Sequence, residues 1–326
     1  MIGRCPVGFT VNFHETTQDF TQWTADMDAL RRLGGTTIRA GVSPWLTDPE
    51  HLAHVRRCLL DARARGLQVM LTCSQLVGND STLNTPALIA EAVEHVGKVA
   101  DEVGDLVDWW QVGNEHDARD WRDWSRPLWD TTEGTADEMW QREADRVLMD
   151  REYLAGLRDV IAACSARIKR DHPDLPVFTA VTGVGANTDR EHIWRRFFDV
   201  IAPVVDAIAI NLYPAVWWQM YREMPARLRR TALRYRLPIL ITEIGLPSMT
   251  VEDEAEIGEW VAAQVDRASR SSDVRGVWLY ELRDQAPTTD PEYQSNAELR
   301  FGTVYNDGTE KPGAGAVRAM IRAVTT

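Results

Sequence analysis

The chain lacks the long apolar run and the basic excess that would place it among membrane or nucleic-acid-binding proteins. No apolar run approaches the roughly 20 residues of a membrane span, and the N-terminus has no basic segment followed by an apolar one. Acidic residues outnumber basic ones, 49 to 36, for a formal net charge of -13. Such a chain disfavours nucleic acid and anionic membranes as partners. We expect a cytoplasmic protein, although a secreted chain already cleaved from its signal would look the same.

The chain also lacks the spacings that mark metal and phosphate sites. No paired spacing joins its four cysteines, Cys5, Cys58, Cys73 and Cys164, so neither a zinc site nor a disulfide framework is indicated and buried free thiols are expected. The segment 183–185 has two of the three glycines of a phosphate-binding turn and follows the fifth strand, whereas such a turn is expected after an early strand. We therefore interpret it as a plain loop. We expect no metal and no organic cofactor.

What the chain does have is a regular alternation of short β-rich runs with segments of helical apolar spacing. Eight such pairs favour a closed (β/α)₈ TIM barrel, of class α/β, over an open sheet, and residues 1–326 suffice for one such domain. The predicted strands are Val7–Asn12, Thr36–Gly41, Gln68–Ser74, Asp108–Gly113, Val177–Thr182, Ala207–Tyr213, Ile239–Thr242 and Gly276–Tyr280. The predicted helices are Trp23–Leu33, Leu52–Ala64, Ala87–Val103, Tyr153–Lys169, Ile193–Ile201, Pro225–Tyr235 and Glu254–Ser269.

One enlarged loop interrupts this alternation, after the fourth strand. Residues 118–150 are polar, charged and rich in tryptophan, with Trp121, Trp124, Trp129 and Trp140. Active sites of such barrels are built from the loops at the carboxyl ends of the strands. We therefore expect this loop to shape a cleft.

Two glutamates, Glu115 and Glu243, come at the ends of apolar strands four and seven. A carboxylate beside a buried strand costs desolvation free energy unless it is paired, hydrogen-bonded or functional. Alone, each has a structural alternative, that of a carboxylate capping a helix. Together they predict one site, because all strands of a barrel end at the same mouth. Two such carboxylates in one site can break a glycosidic bond.

The motifs around these glutamates resemble those of the large clan of retaining glycoside hydrolases on (β/α)₈ barrels, which includes cellulases, mannanases and xylosidases. Asn114-Glu115 matches the pair that ends the fourth strand in that clan, and the segment 242–245 matches the end of its seventh strand. Residues 301–308, followed by Lys311-Pro312, are similar to the closing segment of many members.

The resemblance implies double displacement on a β-linked glycosidic bond, with Glu115 as acid/base and Glu243 as nucleophile. A retaining pair has carboxyl groups about 5 to 5.5 Å apart, against roughly 6.5 to 9.5 Å for an inverting pair. Arg39 matches the arginine that keeps the nucleophile ionised, although a purely structural ion pair is an alternative. Tyr213 matches the tyrosine that hydrogen-bonds the nucleophile, with buried packing as its alternative.

Further sugar contacts follow from the same resemblance. Asn114 is expected to hydrogen-bond the sugar 2-hydroxyl, or else to cap the next helix. Asn211 stands where many members carry histidine. His116 replaces the usual proline after the acid/base, and it is as easily an ordinary loop residue as a ligand contact.

Aromatic side chains are expected to bind the apolar face of the sugar. Either Trp278 or Tyr280 on the eighth strand is expected to form the floor of the site. Strand periodicity does not decide between them, because positions two residues apart face the same way. Trp45, Trp217 and Trp218 lie in predicted mouth loops, where stacking platforms and loop anchors are equally expected.

The expected partner is an oligosaccharide, a glycoconjugate or a glycosylated small metabolite; the oligomeric state is not indicated. A transglycosylase would use the same residues and differ only in excluding water from the glycosyl-enzyme. A non-catalytic sugar-binding barrel would keep the aromatics without needing both glutamates. A phosphate-binding barrel enzyme is disfavoured, because no strand-end lysine or glycine-rich loop follows strands seven and eight.

Overall fold

A computed structural model describes residues 5–11, 20–78, 85–117, 120–122, 150–182, 191–213, 220–248, 253–286 and 297–325. In this part of the chain, strands and α-helices alternate. Their order is β1 (Val7–Thr10), α1 (Phe20–Leu33), β2 (Thr37–Gly41), α2 (Pro49–Ala64), β3 (Gln68–Cys73), α3 (Thr85–Val103), β4 (Trp109–Asn114), α4 (Arg151–Asp171), β5 (Val177–Thr182), α5 (Glu191–Ile201), β6 (Ile208–Leu212), α6 (Met220–Tyr235), β7 (Ile239–Ile244), α7 (Glu254–Ser269), β8 (Val274–Leu279) and α8 (Ala314–Thr325).

The eight strands form a closed barrel in which each strand pairs with the next and β8 pairs with β1. The pairs are parallel throughout, from Gly8 opposite Thr37 to Phe9 opposite Leu279. The strands are buried on both faces because the helices cover the outside of the ring, as is usual for parallel sheets. The predicted (β/α)₈ barrel is confirmed.

The strand limits differ from the predicted ones by one or two residues at most ends, with one difference that matters. β7 continues to Ile244, so Glu243 lies within the strand and pairs with Asn211 of β6. The apolar run predicted an end at Thr242, but hydrogen bonding between neighbouring strands continues through the polar residue.

Capping side chains fix where two of the helices begin. Asp48 accepts a hydrogen bond from the His51 amide, 2.9 Å long, with Pro49 in the first turn of α2. Asp150 accepts bonds of 2.9 Å from the Glu152 amide and 3.1 Å from that of Tyr153. This second cap starts α4 directly after the enlarged loop and sets the position of Tyr153.

The segment after β8 folds back over the carboxyl ends of β7 and β8. Lys311, which is buried, lies 2.7 Å from the Asp284 carboxylate, 3.1 Å from the Ser248 hydroxyl and 3.2 Å from the Arg300 carbonyl. A buried charge is stable only when paired and hydrogen-bonded in this way. The contacts hold Phe301 at the mouth of the barrel.

Several predicted features fall outside the described residues or concern the molecule as a whole. Most of the enlarged loop, including Trp124, Trp129 and Trp140, lies outside them, whereas Trp121 is described and buried. All four cysteines are free thiols, three of them buried. None of the described helices is both long and apolar enough to cross a membrane, and the described residues contain no cluster of three or more potential metal ligands.

Candidate active site

Arg39 of β2 and Glu243 of β7 form a buried ion pair inside the carboxyl end of the barrel. The Arg39 Nη1 atom lies 2.9 Å from the Glu243 Oε1 atom, and the two residues are 3% and 7% exposed. Such a pair is stable only if its remaining donors and acceptors are satisfied. Arg39 meets this condition, since its Nε donates to the Gln111 Oε1 atom at 3.0 Å.

Tyr213, just after β6, holds the second oxygen of the same carboxylate. Its hydroxyl donates a hydrogen bond to the Glu243 Oε2 atom. Burial, followed by the charge of Glu243 and then by Tyr280 and Glu115, raises the pKa of Tyr213 well above its usual value. The phenol therefore keeps its proton and acts as a donor. The Glu243 carboxylate is held in a fixed orientation, with one oxygen on a guanidinium and the other on a phenol.

Glu115 reaches the same mouth through an irregular end of β4. Consecutive side chains of a regular strand point to opposite faces, yet Asn114 and Glu115 both contact Asn211. The backbone leaves the extended conformation at Gly113, with φ 78°, and again at Glu115, with φ 54°. The pairing of β4 with β5 shifts register between Gln111 and Asn114. This bulge turns both side chains into the site.

Asn211 connects the strand of one glutamate to the strand of the other. Its Nδ2 atom donates to the Glu115 Oε1 atom at 2.8 Å and to the Asn114 Oδ1 atom at 3.1 Å. Its Oδ1 atom accepts a 2.7 Å bond from the Thr242 hydroxyl, next to Glu243. The asparagine thus takes the place where related motifs carry histidine and fixes the orientation of Glu115.

Gln111 is a site residue that the sequence did not single out. Besides accepting from Arg39, its Nε2 atom donates to the Asn114 Oδ1 atom at 2.9 Å and to the Gly113 carbonyl at 3.0 Å. The only signal was a polar residue inside an apolar strand, four positions before Glu115. Gln111 is a neutral partner of Arg39, so the positive charge of Arg39 is left to pair with the Glu243 carboxylate.

The two candidate floor residues, Trp278 in β8 and Tyr280 just after it, lie at different depths. Trp278 is fully buried, donates to the Thr37 hydroxyl at 3.2 Å and packs edge-on against Trp109 at 5.5 Å. Tyr280 lies at the mouth, with its ring 6.3 Å from Tyr213. Tyr280 is therefore the one placed to face a ligand, and its contact with sugar stays a prediction.

Phe301, from the closing segment, completes an aromatic wall that the sequence did not predict. Its ring lies 5.7 Å from that of Tyr213 and 5.4 Å from that of Tyr280, both edge-on. Edge-on rings at these distances attract one another. The wall stands beside Glu243, because Tyr213 is bonded to that carboxylate.

The remaining predicted contacts are less closely tied to this cluster. His116 is fully buried, with its ring packed against Gly113. Its imidazole therefore packs against the end of β4, and a direct ligand contact would require it to move. Trp45 is 53% exposed, as either a stacking platform or a loop residue would be. Trp217 and Trp218 lie outside the described residues.

Gly113 offers a direct test of the bulge. A Cβ atom there would lie 2.5 Å from the His116 ring, on a backbone with φ 78° that L-residues avoid. We expect Gly113→Ala to lower thermal stability and to displace Asn114 and Glu115, so that activity falls as well.

Gly66 is a matched control for this change. It has the same φ of 78°, but a Cβ atom there would meet nothing within 4 Å. Gly66→Ala should cost only the backbone strain, about 1 kcal/mol, and leave activity intact. If Gly113→Ala and Gly66→Ala have equal effects on stability and turnover, the bulge at Gly113 is not the element that positions Glu115.

No protein-family model matches the chain, and no curated protein is significantly similar to it in sequence. Solved structures, in contrast, match nearly its full length. The exo-β-1,4-mannosidase Op5Man5 from Opitutaceae bacterium strain TAV5 superposes with a TM-score of 0.71 at 17% identity, over 99% of this chain and 60% of the other. The chain thus spans about three fifths of that mannosidase.

Two further structures are matched over most of their own length. The hyperthermophilic β-glucosidase from Pyrococcus furiosus gives a TM-score of 0.71 at 15% identity, over 99% of this chain and 96% of the other. A GH5_18 protein from Streptomyces cattleya, in complex with Manβ1-4GlcNAc, gives 0.68 at 17% identity, over 98% and 80%. At such identities the likeness concerns architecture: the chain has the barrel fold of these glycosidase structures.

Proposed function

We propose that the protein is a retaining glycoside hydrolase, with Glu243 as the nucleophile and Glu115 as the acid/base. The observation that carries this proposal is the arrangement of the two carboxylates. Glu243 is fixed between Arg39 and Tyr213, and Glu115 is bonded through Asn211 to the same group of residues. A carboxylate paired with a guanidinium and a second, half-buried carboxylate at one mouth form the pair that double displacement requires.

In the first step, a carboxylate oxygen of Glu243 attacks the anomeric carbon. The glycosidic C–O bond breaks as Glu115 donates its proton to the departing oxygen. In the second step, Glu115 takes a proton from water, whose oxygen attacks the same carbon and releases Glu243. Each step inverts the anomeric centre, so the product retains the configuration of the substrate.

The charges around the two glutamates support this division of roles. Arg39 and Tyr213 stabilise a negative charge on Glu243. Two carboxylates in one site disfavour a second charge, and the Asn211 amide that is bonded to Glu115 is neutral, so the proposed mechanism assigns the proton to Glu115. Attack on the sugar consumes the charge on Glu243, after which Glu115 can ionise and serve as the base.

Asn114 is suited to bind the sugar beside the reacting carbon. Its Oδ1 atom accepts from Arg39 at 3.3 Å, from Gln111 at 2.9 Å and from Asn211 at 3.1 Å. These donors fix the amide orientation and direct Nδ2 to the other side, as a donor for the sugar 2-hydroxyl. That hydrogen bond strengthens in the oxocarbenium-like transition state.

We propose a β-linked oligosaccharide or glycoconjugate as the substrate class. The similar structures include a β-1,4-mannosidase, a β-glucosidase and a protein in complex with Manβ1-4GlcNAc. A neutral sugar also suits the formal charge of -13, and the aromatic wall of Tyr280 and Phe301 provides a surface for its C–H face.

The proposal is tested by a screen of aryl β-glycosides with gluco, galacto, xylo, manno and arabinofuranosyl groups, together with β-linked disaccharides. We expect turnover of at least one substrate by the wild type and none by Glu243→Gln. Wild-type protein that binds sugars and turns over none of them would indicate a binding module. Turnover unaffected by the substitution would place the chemistry elsewhere.

A further inference from the structure

We propose that Asp117 is a positioning residue for the acid/base: its carboxylate fastens the segment that carries Glu115 to the end of β5. This inference rests on the proposed function, because it assigns a role in presenting the proton donor. Asp117 itself is too deeply buried, at 2% exposed, to be a substrate contact.

Both oxygens of Asp117 are bound to one residue of the neighbouring strand. Oδ1 accepts from the Thr182 amide at 2.9 Å, and Oδ2 accepts from the Thr182 hydroxyl at 2.6 Å. Thr182 is the last residue of β5. The carboxylate therefore continues the pairing of β4 with β5 beyond the point where their backbones separate.

The residues between β4 and Asp117 are each held by a separate hydrogen bond. The Glu115 amide donates to the Ala180 carbonyl at 2.8 Å, and the Tyr153 hydroxyl donates to the His116 carbonyl at 2.7 Å. Asp117 supplies the third attachment, at the far end. Glu115 is thus fixed on both sides, by Ala180 before it and Thr182 after it.

Glu115 needs this support because its backbone is strained. Its φ of 54° lies in the left-handed region, which a non-glycine residue occupies only at a cost in free energy. Such a conformation persists only when the surroundings impose it. Without Asp117, the backbone is expected to relax and carry the carboxyl group away from Asn211, while Glu243 keeps its own partners Arg39 and Tyr213.

The buried charge of Asp117 is costly for the fold. Burial raises the pKa of Asp117 to about 6, against the lowering effect of its Thr182 hydrogen bonds. The titratable residues directly before Asp117 are Glu115 and His116, and Tyr153 on α4 interacts electrostatically with both Asp117 and Asp120. Because the folded pKa is above the unfolded one, ionised Asp117 destabilises the fold above pH 6, and this penalty disappears as the pH falls towards 4.

Asp117→Asn therefore separates stability from activity. The asparagine Oδ1 atom can still accept from the Thr182 amide and carries no charge. We expect this variant to melt no lower than the wild type at pH 7.5, with any advantage shrinking at pH 5. Its activity should lie between those of the wild type and Asp117→Ala.

The decisive experiment measures kcat/KM of Asp117→Ala for aryl glycosides whose leaving groups range from dinitrophenol to phenol. The constant kcat/KM reports cleavage of the glycosidic bond, and a good leaving group needs no proton from Glu115. We expect values within about threefold of the wild type for dinitrophenyl and about 10- to 100-fold lower for phenyl, a part of what general acid catalysis supplies. The dependence of kcat/KM on the acidity of the leaving-group phenol therefore becomes steeper in the variant.

Asp206→Ala is the matched control, because Asp206 accepts from the amide of Val177, the first residue of the same strand, at 2.8 Å. It should leave the leaving-group dependence unchanged. An unchanged dependence in Asp117→Ala, or equal steepening in Asp206→Ala, would overturn the inference. If the alanine variant fails to fold, the same comparison is made with Asp117→Asn. If the wild type is active and Glu243→Gln is inactive, the proposed function stands even when the Asp117 variants contradict the role of Asp117. If the wild type is inactive on all glycosides, both the proposed function and the inference are contradicted.

Discussion

Substitution of Glu243 by glutamine is expected to lower kcat for every substrate by at least about 10⁴-fold, as loss of a nucleophile does in enzymes that form a covalent intermediate. The amide is nearly isosteric with the carboxylate but does not attack the anomeric carbon. It also removes the negative charge that Arg39 pairs with at 2.9 Å. The measurement is kcat on the best substrate of the glycoside screen, beside a melting curve that establishes folding.

The chain provides a close control in Glu254, at the start of α7. This glutamate is 6% exposed, against 7% for Glu243, and it too accepts a hydrogen bond from a tyrosine hydroxyl, that of Tyr305. Glu254→Gln should leave kcat within a few-fold of the wild type. A similar large loss in both variants would attribute the effect to the removal of a buried carboxylate, and not to chemistry at Glu243.

Substitution of Glu115 by alanine is expected to show the second large effect, which depends on the leaving group. General acid catalysis contributes about 10² to 10⁴-fold, so phenyl glycosides and disaccharides should lose that factor in kcat/KM. Dinitrophenyl glycosides should lose little, because their leaving group departs without a proton. The variant also lacks the general base for hydrolysis of the glycosyl-enzyme, so this intermediate should accumulate.

Added azide provides the complementary test of this variant. The small anion fits the space of the missing carboxylate and attacks the glycosyl-enzyme without base catalysis. We expect azide to raise kcat for dinitrophenyl glycosides and to give a glycosyl azide of retained configuration. A loss that is uniform across leaving groups and unaffected by azide would show that Glu115 is not the acid/base.

The fold was predictable because its signal is repeated. Each strand of a barrel buried on both faces is an apolar run, and each helix returns with its own periodicity, so eight weak signals support one another. Single boundaries were less certain. β7 extends past Thr242 because Glu243 pairs with Asn211 of β6. Backbone pairing does not depend on whether the side chain is apolar, so the hydrophobic pattern does not predict it.

Part of the site was predictable for a similar reason. A carboxylate at the end of an apolar strand is costly, and Glu115 and Glu243 stand out on that ground alone, whereas Arg39 was predicted through the family resemblance. The structure brings Arg39 and Glu243 into contact. It also places Tyr213 on the same carboxylate, where the sequence offered only a resemblance.

Other parts depend on geometry that sequence patterns do not record. Strand parity treats Trp278 and Tyr280 as equivalent, but depth along the barrel axis separates them, since Trp278 packs on Trp109 well below the mouth. The bulge at Gly113 breaks parity and turns two consecutive side chains inward. Phe301 comes from a segment with no periodicity. Contacts between residues far apart in sequence hold it at the site, among them the bond from the Glu281 amide to the Phe301 carbonyl and that from Lys311 to the Arg300 carbonyl.

The most direct test of the central claim is the stereochemical course of the reaction, followed by proton NMR from the first turnover of an aryl β-glycoside. Double displacement by Glu243 and Glu115 predicts that the β-anomer of the free sugar appears first and later mutarotates to the equilibrium mixture. Appearance of the α-anomer first would show a single displacement by water and would contradict the assignment of Glu243 as nucleophile.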